Sequence, residues 1–172
     1  MTAKKKSGKG NFKQAKIATR LLAVQALYAQ DVTTGTLAAN LTDDLDKLVE
    51  SVMDVLGAEH ALDDALLKGI DRTLLHRLIN GVVADIKELD SIINPYLKKS
   101  GSVTKLTAVL RAVLRAATYE MKHMEDVKAK SIIDSYVEVT KAFYDQKEAG
   151  FVNGLLDALA KTVRPKEMKS GE

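Results

Sequence analysis

Apolar side chains recur every three or four residues along most of this 172-residue sequence. The longest such run begins after Asp71, a candidate N-cap, and continues to Pro95, which is expected to end the helix. No segment alternates apolar and polar residues for long enough to form a half-buried strand. The sequence therefore predicts an all-α fold, a bundle of six or seven helices.

The first predicted helix begins at about Lys13. Leu22 and four alanines extend its apolar surface most of the way around, so we expect it to be buried between other helices. Thr42 is a predicted N-cap for a helix that ends at Gly57. The apolar stripe of the first helix comprises Ile17, Leu21, Val24 and Tyr28. The remaining helices are predicted at 106–124, 131–144 and 151–163.

Positive charge is concentrated at the start of the chain. Residues 1–30 carry a charge of +7 with no acid, whereas the whole chain carries +3, which leaves −4 for residues 31–172. A cluster of this kind indicates a polyanionic partner. Residues 1–12 lack periodicity and are predicted to form a flexible basic arm, ahead of a helical domain at 13–165 and a tail at 166–172. The candidate phosphate contacts are Lys4, Lys5, Lys6, Lys9, Lys13, Lys16 and Arg20.

Other features narrow the class of protein. The absence of cysteine excludes disulfides and thiolate catalysis, and it fits a reducing, cytoplasmic location. No apolar run approaches the roughly 20 residues of a membrane span. A basic, acid-free start is also typical of a mitochondrial presequence, but the single arginine argues against that. We found no metal-ligand spacing and no nucleophile motif, so we expect no enzyme activity, cofactor, metal or small-molecule substrate.

Residues 31–71 contain ten acids against Lys47 and Lys68. A solvated helix face explains such a bias. A docking surface for a basic protein is the alternative.

Four segments together resemble one protein family. The strings RLLAVQALYAQ (20–30), LRAVLRAATYEM (110–121) and FVNGLLDALA (151–160) are similar to signature helices of the NusB family of bacterial transcription antitermination factors, and LINGV (78–82) matches as well. The resemblance extends from about Arg20 to Pro165. It implies two packed helical subdomains that bind the boxA segment of ribosomal RNA transcripts together with NusE, a small-subunit ribosomal protein. This complex joins elongating RNA polymerase and other Nus factors.

The resemblance also implies roles for individual residues. Tyr28 and Phe151 would stack on bases, Asn153 would read a base edge, and Lys147 would contact phosphate. Core packing remains the alternative for Tyr28, and a local backbone hydrogen bond remains the alternative for Asn153. The candidate partner-binding residues are Arg111, Arg115, Tyr119 and Glu120. A solvated face is the alternative for the arginines, and helix packing is the alternative for Tyr119 and Glu120.

Some positions depart from the family pattern. Lys128 stands where a proline is common, Lys147 stands where relatives can have an acid, and the arm is rich in lysine where the family often has arginine. Lysine is expected to contact phosphates as a point charge, with little bidentate reading of bases.

Two other functions are compatible with parts of this pattern. Some RNA cytosine methyltransferases carry a NusB-like N-terminal domain, but the residues after Pro165 are too few for a domain that binds a methyl donor. A protein-only helical scaffold that uses its lysine arm for acidic proteins is the second alternative. Whether the protein is a monomer or a homodimer is open.

Overall fold

The computed structural model describes residues 4–34 and 64–169, together with the helical residues Lys47, Glu50, Ser51, Met53 and Asp54; within these ranges, side chains are described at 13–32 and from 65 onward. All regular structure in these residues is helical, which confirms the all-α prediction. The α-helices are α1 Lys4–Thr34, α2 Asp64–Lys68, α3 Arg72–Ile93, α4 Ala108–His123, α5 Ala129–Lys141, α6 Gln146–Val163 and α7 Pro165–Lys169. Short 3-10 helices span Asn94–Tyr96 and Val103–Lys105.

Helix α3 forms where the apolar periodicity predicted it. The side chain of Asp71 accepts a hydrogen bond from the Leu74 backbone N–H at 2.9 Å, which confirms the predicted N-cap. At the other end, Pro95 cannot donate a backbone hydrogen bond, and the chain leaves the α-helix through a 3-10 turn.

Helix α1 begins at Lys4, so the prediction that the helix starts near Lys13 is wrong. Residues 4–12, which we expected to form an unpatterned arm, are helical. Extending an existing helix costs far less than nucleating one, and lysine is a good helix former. Apolar periodicity does not detect such an extension, because a solvated helical turn needs no apolar face.

The other helix boundaries differ by a few residues from the predicted ones. Helix α6 starts five residues before Phe151; the prediction missed this first turn because it is polar and adds nothing to an apolar stripe. Helix α5 ends at Lys141 rather than at 144. Helix α7 occupies part of the segment expected to be a tail, with Pro165 as its first residue. The predicted helix between Thr42 and Gly57 lies mostly outside the described residues.

Helix α4 lies at the centre of the packing. Every residue from Ala112 to Met121 is buried, including three polar ones. Helices α1, α3, α5 and α6 all pack against it, and α1 also contacts α3 and α5. Because α4 is enclosed on all sides, its two buried charged side chains, Arg115 and Glu120, are paired with oppositely charged groups inside the protein.

Gly81 allows α3 and α4 to approach closely. A Cβ atom at this position would overlap the ring of Tyr119 on α4. The Tyr119 ring in turn contacts His123, with ring centroids 4.6 Å apart. Glycine is therefore required at this crossing for steric reasons.

Candidate nucleic-acid interface

Tyr28 is 37% exposed on α1, so the alternative of core packing is wrong for this residue. The buried face of α1 passes through Ala18, Leu22 and Ala26. Of the stripe predicted from the sequence, Val24 is fully buried, Ile17 and Leu21 are half-buried and Tyr28 is exposed, so the stripe only partly coincides with the buried face. Small residues on the core face let neighbouring helices approach closely, while the tyrosine ring remains accessible to a ligand.

Phe151 is 39% exposed near the start of α6. Lys147 lies four residues earlier and is also exposed, so the two side chains occupy the same face of the helix. This face places an ammonium group beside an aromatic ring. The combination suits a nucleotide, whose phosphate and base differ in charge and polarity.

The start of α4 connects these two aromatic positions. Arg111 donates from Nε to Asp31 Oδ2 at 2.8 Å, and Asp31 follows Tyr28 by three residues on α1. The hydroxyl groups of Thr107 and Tyr144 are hydrogen-bonded at 2.6 Å, and Tyr144 lies two residues before the start of α6. The end of α1 and the start of α6 are therefore fixed to the same short segment.

Asn153 is exposed and lines a groove of about 810 Å³ between α5, α6 and α7. Its side-chain amide forms no hydrogen bond with the described residues, so the alternative of a local backbone bond is not observed. Lys128 and Lys130 line the same groove, as do Asp134 and Asp157. The mixed charge of this lining does not favour a ligand of one sign.

The basic residues of α1 are only partly described. Lys13 and Lys16 are exposed, as a phosphate contact requires. The side chains of Lys4, Lys5, Lys6 and Lys9 lie outside the described residues, although their backbone is helical. Their proposed phosphate contacts remain predictions.

Arg20 is 3% exposed, so its prediction as a phosphate contact is wrong in this conformation. Its guanidinium forms a bidentate ion pair with Glu120 on α4: Nε donates to Oε2 at 3.0 Å and Nη2 donates to Oε1. Nη1 donates to the Lys16 carbonyl oxygen at 3.1 Å. Tyr136 on α5 donates its hydroxyl to Glu120 Oε2 at 3.0 Å. This network joins three helices inside the core.

Burial and charge act in opposite directions on Arg20. Burial alone lowers the pKa of its guanidinium, but the hydrogen bond and charge of Glu120 outweigh burial and raise that pKa. The pKa of the Tyr136 hydroxyl is raised well above its ordinary value, first by burial and then by the charge of Glu120. The network therefore contains a charged arginine and a protonated tyrosine.

The residues predicted to bind a protein partner lie largely inside the molecule. Arg115 is 5% exposed and donates from Nε and Nη2 to the two carboxylate oxygens of Asp90, at 2.7 and 2.8 Å. Tyr119 is 9% exposed and Glu120 is 0% exposed. These three assignments to a partner surface are corrected, because α4 is enclosed by other helices. Arg111 is half-buried and paired with Asp31.

Within the described part of the chain, no three histidine, cysteine or acidic side chains are grouped closely enough to hold a metal ion. None of the described helices is both long enough and apolar enough to cross a bilayer.

Comparison with known proteins gives a consistent result. The NusB family model matches residues 17–161. The transcription antitermination protein NusB of Sphingopyxis alaskensis is 34% identical over 153 residues, which are 89% of this chain and 97% of the relative. The protein of the same name from Bradyrhizobium diazoefficiens is 36% identical over 154 residues, covering 90% of this chain and 88% of the relative. A solved structure of T. maritima NusB is similar with a TM-score of 0.65 and 29% identity, over 90% of this chain and 96% of that one.

Proposed function

Because this chain belongs to the NusB family of transcription antitermination factors, we propose that it binds the boxA segment of ribosomal RNA transcripts together with NusE. In this proposal the complex joins elongating RNA polymerase and other Nus factors, and it suppresses premature termination by binding alone.

The accessibility of two aromatic rings carries the proposal. Tyr28 and Phe151 are both more than one-third exposed, on helices that the same segment of α4 holds in place. Single-stranded RNA is commonly bound by stacking its bases on such rings. Burial of both rings in the core would have favoured packing as their role, so their exposure supports the RNA-binding assignment.

Charge supports the same proposal and explains the need for a partner. Lys13, Lys16 and Lys147 are exposed and suit phosphate contacts. Residues 31–172, however, sum to −4, and this negative charge repels RNA beyond the reach of the basic residues. A basic ribosomal protein bound to this part of the molecule would extend the positive surface. We do not propose a partner-binding role for Arg115, because its guanidinium is already bound by Asp90.

Replacing Phe151 with leucine tests the stacking contact. The substitution roughly keeps the apolar volume but removes the π face, and we expect it to weaken boxA RNA binding by about 1–3 kcal/mol, roughly 5- to 150-fold in Kd. Fluorescence anisotropy with labelled RNA measures the affinity, and thermal unfolding measures the folded fraction. The matched control is Phe143→Leu at a half-buried phenylalanine, which should leave RNA affinity unchanged. Equal affinities for wild type and Phe151→Leu would assign this ring to packing.

A further inference from the structure

The loop that joins α3 to α4 carries a second group of basic side chains. Lys98, Lys99 and Lys105 are all exposed. The sequence contains no acid between Asp90 and Glu120, so the positive charge of this stretch has no nearby compensation along the chain.

The loop has a defined backbone. Asn94 Oδ1 accepts a hydrogen bond from the Val103 backbone N–H at 2.9 Å, which closes the loop across nine residues. Gly101 has a φ of +72°, a conformation that glycine adopts without strain, and its N–H donates to the Leu97 carbonyl at 2.8 Å. The lysines are therefore presented from a fixed backbone, so binding a ligand requires little further ordering of the chain.

Within the part of the chain that the structure describes, no acid is paired with these three ammonium groups. The two arginines that follow them are paired, Arg111 with Asp31 and Arg115 with Asp90. Lys98, Lys99 and Lys105, by contrast, form no ion pair with any residue that the structure describes. Their charge is available to an external anion.

The Lys105 end of the loop lies near the end of α1 that carries Tyr28. Arg111 Nη1 donates to the carbonyl oxygens of Thr104 at 3.3 Å and Leu106 at 2.5 Å, on either side of Lys105. The same guanidinium binds Asp31 at the end of α1, three residues beyond Tyr28. This shared arginine fixes the backbone of Lys105 next to the exposed end of α1.

We propose that the lysines of this loop, Lys98, Lys99 and Lys105, bind the phosphate backbone of single-stranded RNA, with Lys105 contacting the phosphate nearest the base that stacks on Tyr28. The inference rests on the proposed RNA-binding function and adds a contact element to it. RNA is favoured over an acidic protein because Lys105 is held near the end of α1 that carries the exposed Tyr28 ring. Base stacking beside backbone cations is the usual combination in single-strand binding. Lysine suits this role because a point charge follows phosphates without reading sequence.

The test compares two triple variants of the full chain. The first replaces Lys98, Lys99 and Lys105 with glutamine. The matched control replaces Lys68, Lys87 and Lys166, which are exposed on other elements, with glutamine, and so removes the same net charge. Both are titrated with labelled boxA RNA at several salt concentrations, and thermal unfolding confirms that both remain folded.

We expect the loop variant alone to lose affinity and salt dependence. At about 0.7 units of slope per contact, three lost contacts lower the magnitude of the slope of log K against log salt by about 2, and they weaken binding about 50-fold at 0.15 M salt. An unchanged slope, or equal losses in the two variants, overturns the inference. A loop variant that binds RNA normally but no longer binds an acidic protein also overturns the inference, because the lysines would then serve a protein partner. Failure of the wild-type protein to bind RNA refutes the proposed function itself, and is thereby distinguished from failure of the loop contact.

Discussion

Replacing Glu120 with glutamine is expected to lower the free energy of unfolding by about 3–5 kcal/mol, because it leaves the Arg20 guanidinium charged in the core without its anionic partner. Glutamine keeps the shape of the side chain and still offers an oxygen to the Tyr136 hydroxyl. The loss therefore reports the missing charge rather than a cavity. Urea denaturation monitored by circular dichroism measures this change.

Two comparisons sharpen this prediction. The double variant Arg20→Met with Glu120→Gln removes both charges and should recover much of the stability lost in either single variant. Asp157→Asn breaks the exposed pair with Lys161 and should change stability by less than about 1 kcal/mol. A single Glu120→Gln variant as stable as wild type would show that the pair is not buried in solution.

The same variants separate structural from RNA-binding roles at Arg20. Because its guanidinium is enclosed by Glu120 and the Lys16 carbonyl, Arg20→Met should reduce stability but leave the RNA affinity per folded molecule unchanged. A phosphate contact would behave in the opposite way, with lower affinity at constant stability.

Substituting Gly81 with alanine is expected to destabilise the protein by about 1–3 kcal/mol. The added Cβ overlaps the Tyr119 ring, so either the α3–α4 crossing widens or the ring moves away from His123. This steric cost outweighs the gain of up to about 1 kcal/mol that alanine brings to a helix interior. Thermal and chemical unfolding both measure the effect.

Gly154 provides the matched control on α6. Its Cβ would meet no atom within 4 Å, so Gly154→Ala should stabilise the protein by about 0.5–1 kcal/mol through helix propensity alone. Changes of the same sign at both glycines would contradict the proposed close approach of α3 and α4.

Most of the fold could be predicted from the sequence, because helical periodicity and the residues that begin and end a helix are local features. The run from Asp71 to Pro95 specified α3, including its N-cap. Helical turns that face solvent could not be predicted in this way, since residues 4–12 and the first turn of α6 form helix without an apolar stripe. The core face of α1 was predicted only in part: Val24 of the stripe is fully buried, but Tyr28 is exposed, because alanine contributes little to an apolar stripe yet lines the buried side.

The candidate site was harder to predict, because its geometry depends on ion pairs between residues that are far apart in the sequence. Arg20 looks like an extension of the basic arm until Glu120, 100 residues later, is found beside it. Arg115 similarly depends on Asp90 on another helix. Exposed residues such as Tyr28, Phe151 and Lys147 could be identified from the family resemblance. Charge counting alone cannot distinguish a surface cation from a buried partner of an acid.

The most direct test of the account is the affinity of the full chain for boxA RNA, measured with and without saturating NusE at physiological salt. Linkage between two ligands of one protein is typically worth about 1–3 kcal/mol, so we expect NusE to tighten RNA binding roughly 5- to 150-fold, and RNA to tighten NusE binding by the same factor. A scrambled RNA of the same length should gain much less. Equal affinities with and without NusE, or equal gains for boxA and scrambled RNA, would contradict the account.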